Sequence, residues 1–167
     1  MVLPRWLPPK KRARVMDPAR DLALAGNGAT ARSDGEYAGE PGCTAKVNDG
    51  VITSAPENFA NRWHSALDTP HPHWVEVDLP RPEKVGAVVV SFADPAGYPV
   101  RFEGIVRSNG RDKQIFNVTD NQDAHGYRIE IEPMVIESFR LVIYASANPA
   151  YANAAQVSEI ELYERLP

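Results

Sequence analysis

The chain has 167 residues, with 18 lysines and arginines against 22 aspartates and glutamates, for a net charge of −4. Such a length is normally one domain, and it buries roughly 70% of the surface its unfolded chain exposes, so its core needs no covalent staple. The single cysteine, Cys43, excludes an intrachain disulfide. No run of about 18 apolar residues is present to span a membrane.

The charge is unevenly placed. Residues 1–20 hold Arg5, Lys10, Lys11, Arg12, Arg14 and Arg20 against Asp17, a net of +5, which leaves −9 on residues 21–167. Pro4, Pro8 and Pro9 interrupt any apolar stretch that a signal peptide would need. The run Pro8-Pro9-Lys10-Lys11-Arg12-Ala13-Arg14 reads as a basic, proline-rich linker or N-terminal extension to a domain over residues 21–167. As a nuclear-localisation signal or nucleic-acid arm it is a weak signal. Neither a nucleic-acid nor a membrane partner is expected.

Beyond residue 20 the pattern is β. The 15 prolines and 11 glycines fall between short apolar runs. Over Trp74–Leu79, Val75, Val77 and Leu79 alternate with Glu76 and Asp78, and Val85–Phe92 is nearly continuously apolar, as a central strand covered on both sides should be. Val100–Arg107 alternates again. Ser108-Asn109-Gly110-Arg111 then predicts a tight hairpin, because Asn-Gly accepts the positive φ values such a turn requires. Gln114–Val118 is the expected return strand. Tyr127, Ile129 and Ile131 alternate with Arg128, Glu130 and Glu132, and Ser138–Tyr144 and Val157–Tyr163 complete the set. Seven or eight short strands and no amphipathic helix predict an all-β antiparallel sandwich or jelly roll. Trp63 and Trp74 are expected in its core, with Cys43 as an inert small residue.

Chemistry must then reside in the loops. The chain lacks a Gly-x-Ser-x-Gly elbow, a phosphate-binding glycine loop and a His-Glu-x-x-His helix, and nothing in it demands catalysis. His71-Pro72-His73 is a conceivable metal chelate, but it has no obvious third ligand. Lys46-Val47-Asn48-Asp49-Gly50-Val51-Ile52-Thr53-Ser54 contains an Asn-Asp-Gly turn that gathers one carboxylate and several carbonyls, the oxygen ligands that calcium takes. An ordinary turn is the alternative.

Several segments occur in a set order: Asp21-Leu22-Ala23-Leu24, Lys46-Val47-Asn48-Asp49-Gly50, Asn61-Arg62-Trp63-His64-Ser65, Trp74-Val75-Glu76-Val77-Asp78-Leu79, and Ala155-Gln156-Val157-Ser158-Glu159-Ile160-Glu161-Leu162-Tyr163. This ordered set resembles the galactose-binding-like, or discoidin (coagulation factor type C), superfamily, and within it the family-32 carbohydrate-binding modules. The resemblance spans about residues 21–165 and implies a five-on-three-type β-sandwich with one buried structural calcium. It implies calcium ligands from the carbonyls of Lys46, Val51 and Ser158, the carboxylates of Asp49 and Glu159, and Ser54, with Thr53 as an alternative hydroxyl. It also implies a sugar site at one edge of the sandwich. There His64 follows the Arg-Trp pair, Arg101 comes from the region after the central strand, and Tyr151 lies in the loop before the last strand. The loop Asp94-Pro95-Ala96-Gly97-Tyr98-Pro99 is short, so Asp94 and Tyr98 are candidates for hydroxyl binding and stacking, and Arg101 is alternatively an outward strand residue. The expected function is a non-catalytic, lectin-like carbohydrate-binding module, accessory to a polysaccharide- or glycan-processing enzyme. It would be secreted or displayed at the cell surface as one module of a larger protein. The alternative is a protein-interaction or adhesion domain of the same fold.

Overall fold

The structure is a computed structural model that describes residues 17–52 and 61–167. The basic segment over residues 1–16, and with it most of the expected linker, lies outside the described residues, as do Thr53 and Ser54. The described chain opens with a short 3-10 turn, Pro18–Arg20, in which the Asp17 carboxylate caps the Ala19 N–H. Asp21 is already wholly buried, and its carboxylate accepts the N–H groups of Ala23 and of Leu162 in the last strand.

Eight strands follow: β1 (Thr30–Ser33), β2 (Trp63–His64), β3 (His73–Ser91), β4 (Pro99–Ser108), β5 (Arg111–Val118), β6 (Gly126–Ser146), β7 (Gln156–Val157) and β8 (Glu159–Tyr163). All their pairings are antiparallel. Most strands are short, as the pattern predicts, but β3 has 19 residues and β6 has 21. These two run side by side and break register together, between Asp78 and Glu83 and again between Val85 and Ala87. Pro80 and Pro82 lie at the first break and Pro133 faces the second; prolines bring no N–H to a ladder and mark such irregularities.

The break divides both strands between two layers. The first half of β3 and the second half of β6 lie with β1, β4 and β5 in the order β1-β3-β6-β4-β5. The second half of β3 pairs with β8 and with the first half of β6. Five strands therefore face three. Phe102 of the larger layer meets Tyr127 and Phe92 of the smaller edge-on, at centroid distances of 5.3 and 5.7 Å, as aromatic quadrupoles favour. Val75, Val77, Phe139, Leu141 and Ile143 fill the core from one side and Val88, Val90, Ile160 and Leu162 from the other. Val85–Phe92 is buried throughout, as expected of a strand with neighbours on both edges and cover on both faces. Outside the smaller layer, Ala87, Val89, Tyr163 and Leu166 form a second apolar cluster.

The hairpin at Asn109-Gly110 has φ of 51° and 70°, the double left-handed turn its sequence predicts. Trp63 is wholly buried, but Trp74 corrects its expected core placement. Its neighbours Val75 and Val77 take the inward side of the pleat, so Trp74 must point out. There it stacks on Arg140 at 4.8 Å and on Arg32 at 6.0 Å. Both guanidiniums also grip Glu76, at 3.0 Å from Arg32 and 2.6 Å from Arg140, so this outward carboxylate is buried beneath them instead of solvated.

Candidate functional site

Three loops meet at one end of the larger layer. β2 pairs with β7, placing His64 against Gln156. Ser65 fixes the next step: its N–H donates to Ala155 O at 2.9 Å, and its Oγ accepts the Ala155 N–H at 2.9 Å. The loop carrying Tyr151 is thereby bound to the residue after His64. On its other side, Ala147 N–H donates to Tyr98 O at 2.9 Å, joining it to the Asp94–Pro99 loop. Gly97 lies where these two loops touch. A Cβ there would stand 3.0 Å from Asp94 Oδ2 and 3.2 Å from Asn148 Nδ2, so a side chain would wedge them apart. Asn148 Oδ1 in turn accepts the N–H groups of Ala150 and Tyr151, both at 3.0 Å, holding the turn that presents Tyr151.

The sequence candidates therefore divide. His64, Tyr98, Asp94 and Tyr151 all lie on these three connected loops. Tyr151 is 56% exposed, one of the few large apolar side chains in water among the described residues. Tyr98 is partly buried and packs against the core. Asp94 spends Oδ1 on the Ala96 N–H at 2.8 Å, leaving Oδ2 toward Gly97 and Asn148. Arg101 is an exposed strand residue on the outward face of β4, its guanidinium 5.6 Å over the Tyr144 ring, and Tyr144 donates to Glu103.

His64 is nearly buried, 5% exposed, with the Tyr37 ring tilted against it at a centroid distance of 5.0 Å. Its Nδ1 lies 2.8 Å from Ser65 O, which assigns the proton to Nδ1 and the lone pair of the neutral ring to Nε2. Burial, helped by the nearby Arg62 guanidinium, holds its pKa below the usual histidine range against the pull of Ser65 O. Beside Tyr37 opens a cleft of about 270 Å³ lined by Glu36, Tyr37, Ala38, Ala66, Leu67 and Asp68. Tyr37 and Asn148 were missed by sequence reasoning. Tyr37 acts on His64, far along the chain, so nothing local marks it, whereas Asn148 holds the turn of its own loop, where Asn-Pro is a local turn signal.

His73 is wholly buried and spends both ring nitrogens, Nδ1 on Asp34 and Nε2 on the carbonyls of Thr69 and Asn153. It has no lone pair for a metal. His71, its ring 5.1 Å away, has Nδ1 at 3.0 Å from Ile143 O.

On the other side of β7, the Asn-Asp-Gly turn meets the last strand. Glu159 is wholly buried, and its Oε1 accepts the Gly50 N–H at 3.0 Å across 109 positions of sequence. Asp49 Oδ1 accepts the Val51 N–H at 2.9 Å, and Oδ2 lies 3.9 Å from Lys46 Nζ. Lys46 and Val51 stand in the same turn, and Ser158 N–H donates to Ser91 O at 2.8 Å. Ser54 lies outside the described residues. Among the described residues, no three His, Cys, Asp or Glu side chains converge as a metal group would.

None of the curated protein sequences matches this chain. Solved structures match its fold. One is the family 32 carbohydrate-binding module of Clostridium perfringens NanJ in complex with galactose, with a TM-score of 0.64 and 18% identity over 81% of this chain and 93% of that one. Another is chitosan-binding module 1 from a Paenibacillus sp. IK-5 chitosanase/glucanase, with a TM-score of 0.67 and 22% identity over 86% and 98%. A third is CpGH89CBM32-5 from Clostridium perfringens in complex with GalNAc-β-1,3-galactose, with a TM-score of 0.67 and 15% identity over 86% and 99%. A family model matches residues 46–141, from the Asn-Asp-Gly turn through the core of β6. With the five-on-three sandwich around it, the chain belongs to the NedA-like, galactose-binding domain family of the coagulation factor type C superfamily.

Proposed function

We propose that this chain is a non-catalytic carbohydrate-binding module that takes one or two sugar units at the edge formed by the His64, Asp94–Tyr98 and Asn148–Asn153 loops. The observation that carries this is Tyr151, an aromatic ring kept in water by a loop fastened on both sides. An exposed ring on a rigid support covers the C–H face of a pyranose at little entropic cost, while fixed polar groups take its hydroxyls. Asp94 Oδ2 and His64 Nε2 are such acceptors. Arg101, on the neighbouring strand face, keeps its guanidinium over the Tyr144 ring. Structural neighbours bound to galactose, to a GalNAc-galactose disaccharide and to chitotriose support the ligand class. Binding at so open an edge is weak, and avidity comes from neighbouring modules of a larger, exported glycan-processing enzyme.

The same reading gives the Asn-Asp-Gly turn a structural calcium ion. The donor chemistry fits: Glu159 holds a carboxylate out of water against Gly50, Asp49 is the residue before that glycine, and main-chain oxygens of Lys46, Val51 and Ser158, with Ser54 or Thr53, are of the hard ligand type calcium collects. A bound ion would neutralise the two carboxylates and tie an early loop to the final strand.

Glycan-array screening followed by titration with D-galactose and chitotriose tests the proposal. Tyr151→Ala is expected to weaken binding by about 1–3 kcal/mol, the worth of a stacked apolar area, and to leave the melting temperature nearly unchanged, since the ring is mostly in water. An array blank for every glycan, or a Tyr151→Ala variant that binds like the parent, overturns the edge site.

A further inference from the structure

We infer that His73 is a positioning residue, a buried imidazolium that latches the Tyr151 loop to the sandwich and releases it as the pH rises. This rests on the carbohydrate-binding reading of that loop. The ring has no exposure to water, and every contact at its nitrogens is an acceptor. Nδ1 stands 2.8 Å from Asp34 Oδ2, while Nε2 stands 2.8 Å from Asn153 O and 3.1 Å from Thr69 O. A carboxylate on one side and two carbonyls on the other demand a proton on each nitrogen. Without the second proton, a lone pair faces an oxygen lone pair at 2.8 Å in a dry site, which costs far more than the same clash in water.

Four pieces of chain meet at this ring. Asp34 follows β1, and its Oδ1 also accepts the Trp74 N–H at 3.0 Å, so it is clamped to the start of β3. Thr69 belongs to the loop after His64, His73 to β3, and Asn153 to the Tyr151 loop, 80 positions away. Among the described residues, the ionisable groups that act on the ring are Asp34, His71 and His64. Burial holds both neighbouring histidines below the usual histidine range, so they are neutral at pH 7 and do not compete for the charge. For His73 burial also opposes the charge, but the hydrogen bond and charge of Asp34, followed by the carbonyls of Asn153 and Thr69, outweigh it, and the net direction is up. A raised folded-state pKa means the latch is complete below about pH 6.5, the unfolded value, and is lost as the pH climbs through the folded value.

The loop carries its own reporters, because Ala154 N–H donates to Tyr151 O and Ala155 N–H to Ser65 Oγ. Hydrogen exchange of peptides spanning residues 148–156, corrected for intrinsic rates and followed from pH 5 to 9, is expected to lose about tenfold in protection across one titration, the worth of one charge-assisted hydrogen bond. Nitrogen-15 spectra of the parent should show both His73 nitrogens protonated below that step. Asp34→Asn should move the step to lower pH. His73→Gln should leave the loop loose and its protection flat with pH. Corrected protection that does not change with pH in the parent, or a singly protonated His73 at pH 6, overturns the latch. D-Galactose and chitotriose titrations over the same range separate the two readings. If the loop responds to pH while neither sugar binds at any pH, the latch stands and the sugar site falls. If sugar binds while loop protection stays flat, the reverse holds.

Discussion

Glu159→Gln isolates the ion from the fold. The parent carboxylate accepts the Gly50 N–H through Oε1 at 3.0 Å, and a carboxamide oxygen of the same shape keeps that bond. What disappears is one of the two negative charges that the proposed calcium ion would meet, on a side chain wholly out of water. An ion that binds only the native state at 100 times its dissociation constant stabilises by about 2.7 kcal/mol. In a chain of this size each kcal/mol moves the melting temperature by about 2–4 °C, so added Ca²⁺ should raise the parent's melting temperature by about 5–11 °C over its value in EDTA. Glu159→Gln and Asp49→Asn should lose most of that response. Differential scanning calorimetry in excess EDTA and in millimolar Ca²⁺ measures it for all three proteins. The parent must first be unfolded and refolded in EDTA, so that a trapped ion cannot mask the effect. A parent that then melts at one temperature in both buffers refutes the site, as would a Glu159→Gln variant with the full response.

Two further expectations concern the sugar edge and the core. His64 has a depressed pKa, so its neutral, accepting ring and the stability it contributes are full above about pH 6.5 and are lost as the pH falls toward the folded value; titration with D-galactose should therefore weaken on the acid side, and His64→Ala should remove that limb. Gly104 faces the Phe116 ring so closely that an added Cβ would stand 2.4 Å from it, so Gly104→Ala should cost about 1–3 kcal/mol in urea unfolding through overpacking, and Phe116→Leu in the same chain should recover part of the loss.

Local order is what the sequence carried. Alternation over Trp74–Leu79 and Tyr127–Glu132, the apolar run Val85–Phe92 and the Asn109-Gly110 turn each specify a strand or hairpin within a few residues of themselves, because side-chain period and positive φ are local properties. The ordered set of segments pointed to the family. Tertiary structure decided the rest. Whether β3 and β6 are one strand each or two depends on two neighbouring chains bending together at Pro80, Pro82 and Pro133, which no single segment reveals. Trp74 looks like a core residue from its size, and only the pleat direction, set by Val75 and Val77 reaching the opposite layer, turns it outward onto Arg32 and Arg140. Glu76 reads as solvated until the arginines of β1 and β6 close over it. His71-Pro72-His73 suggested a chelate, yet the fold brings Asp34, Thr69 and Asn153 around His73 and occupies its nitrogens. Most of these partners lie tens of residues apart in the chain. Their meeting is fixed by strand order and loop closure, so the chemistry of a buried polar group is legible only after the chain has folded around it.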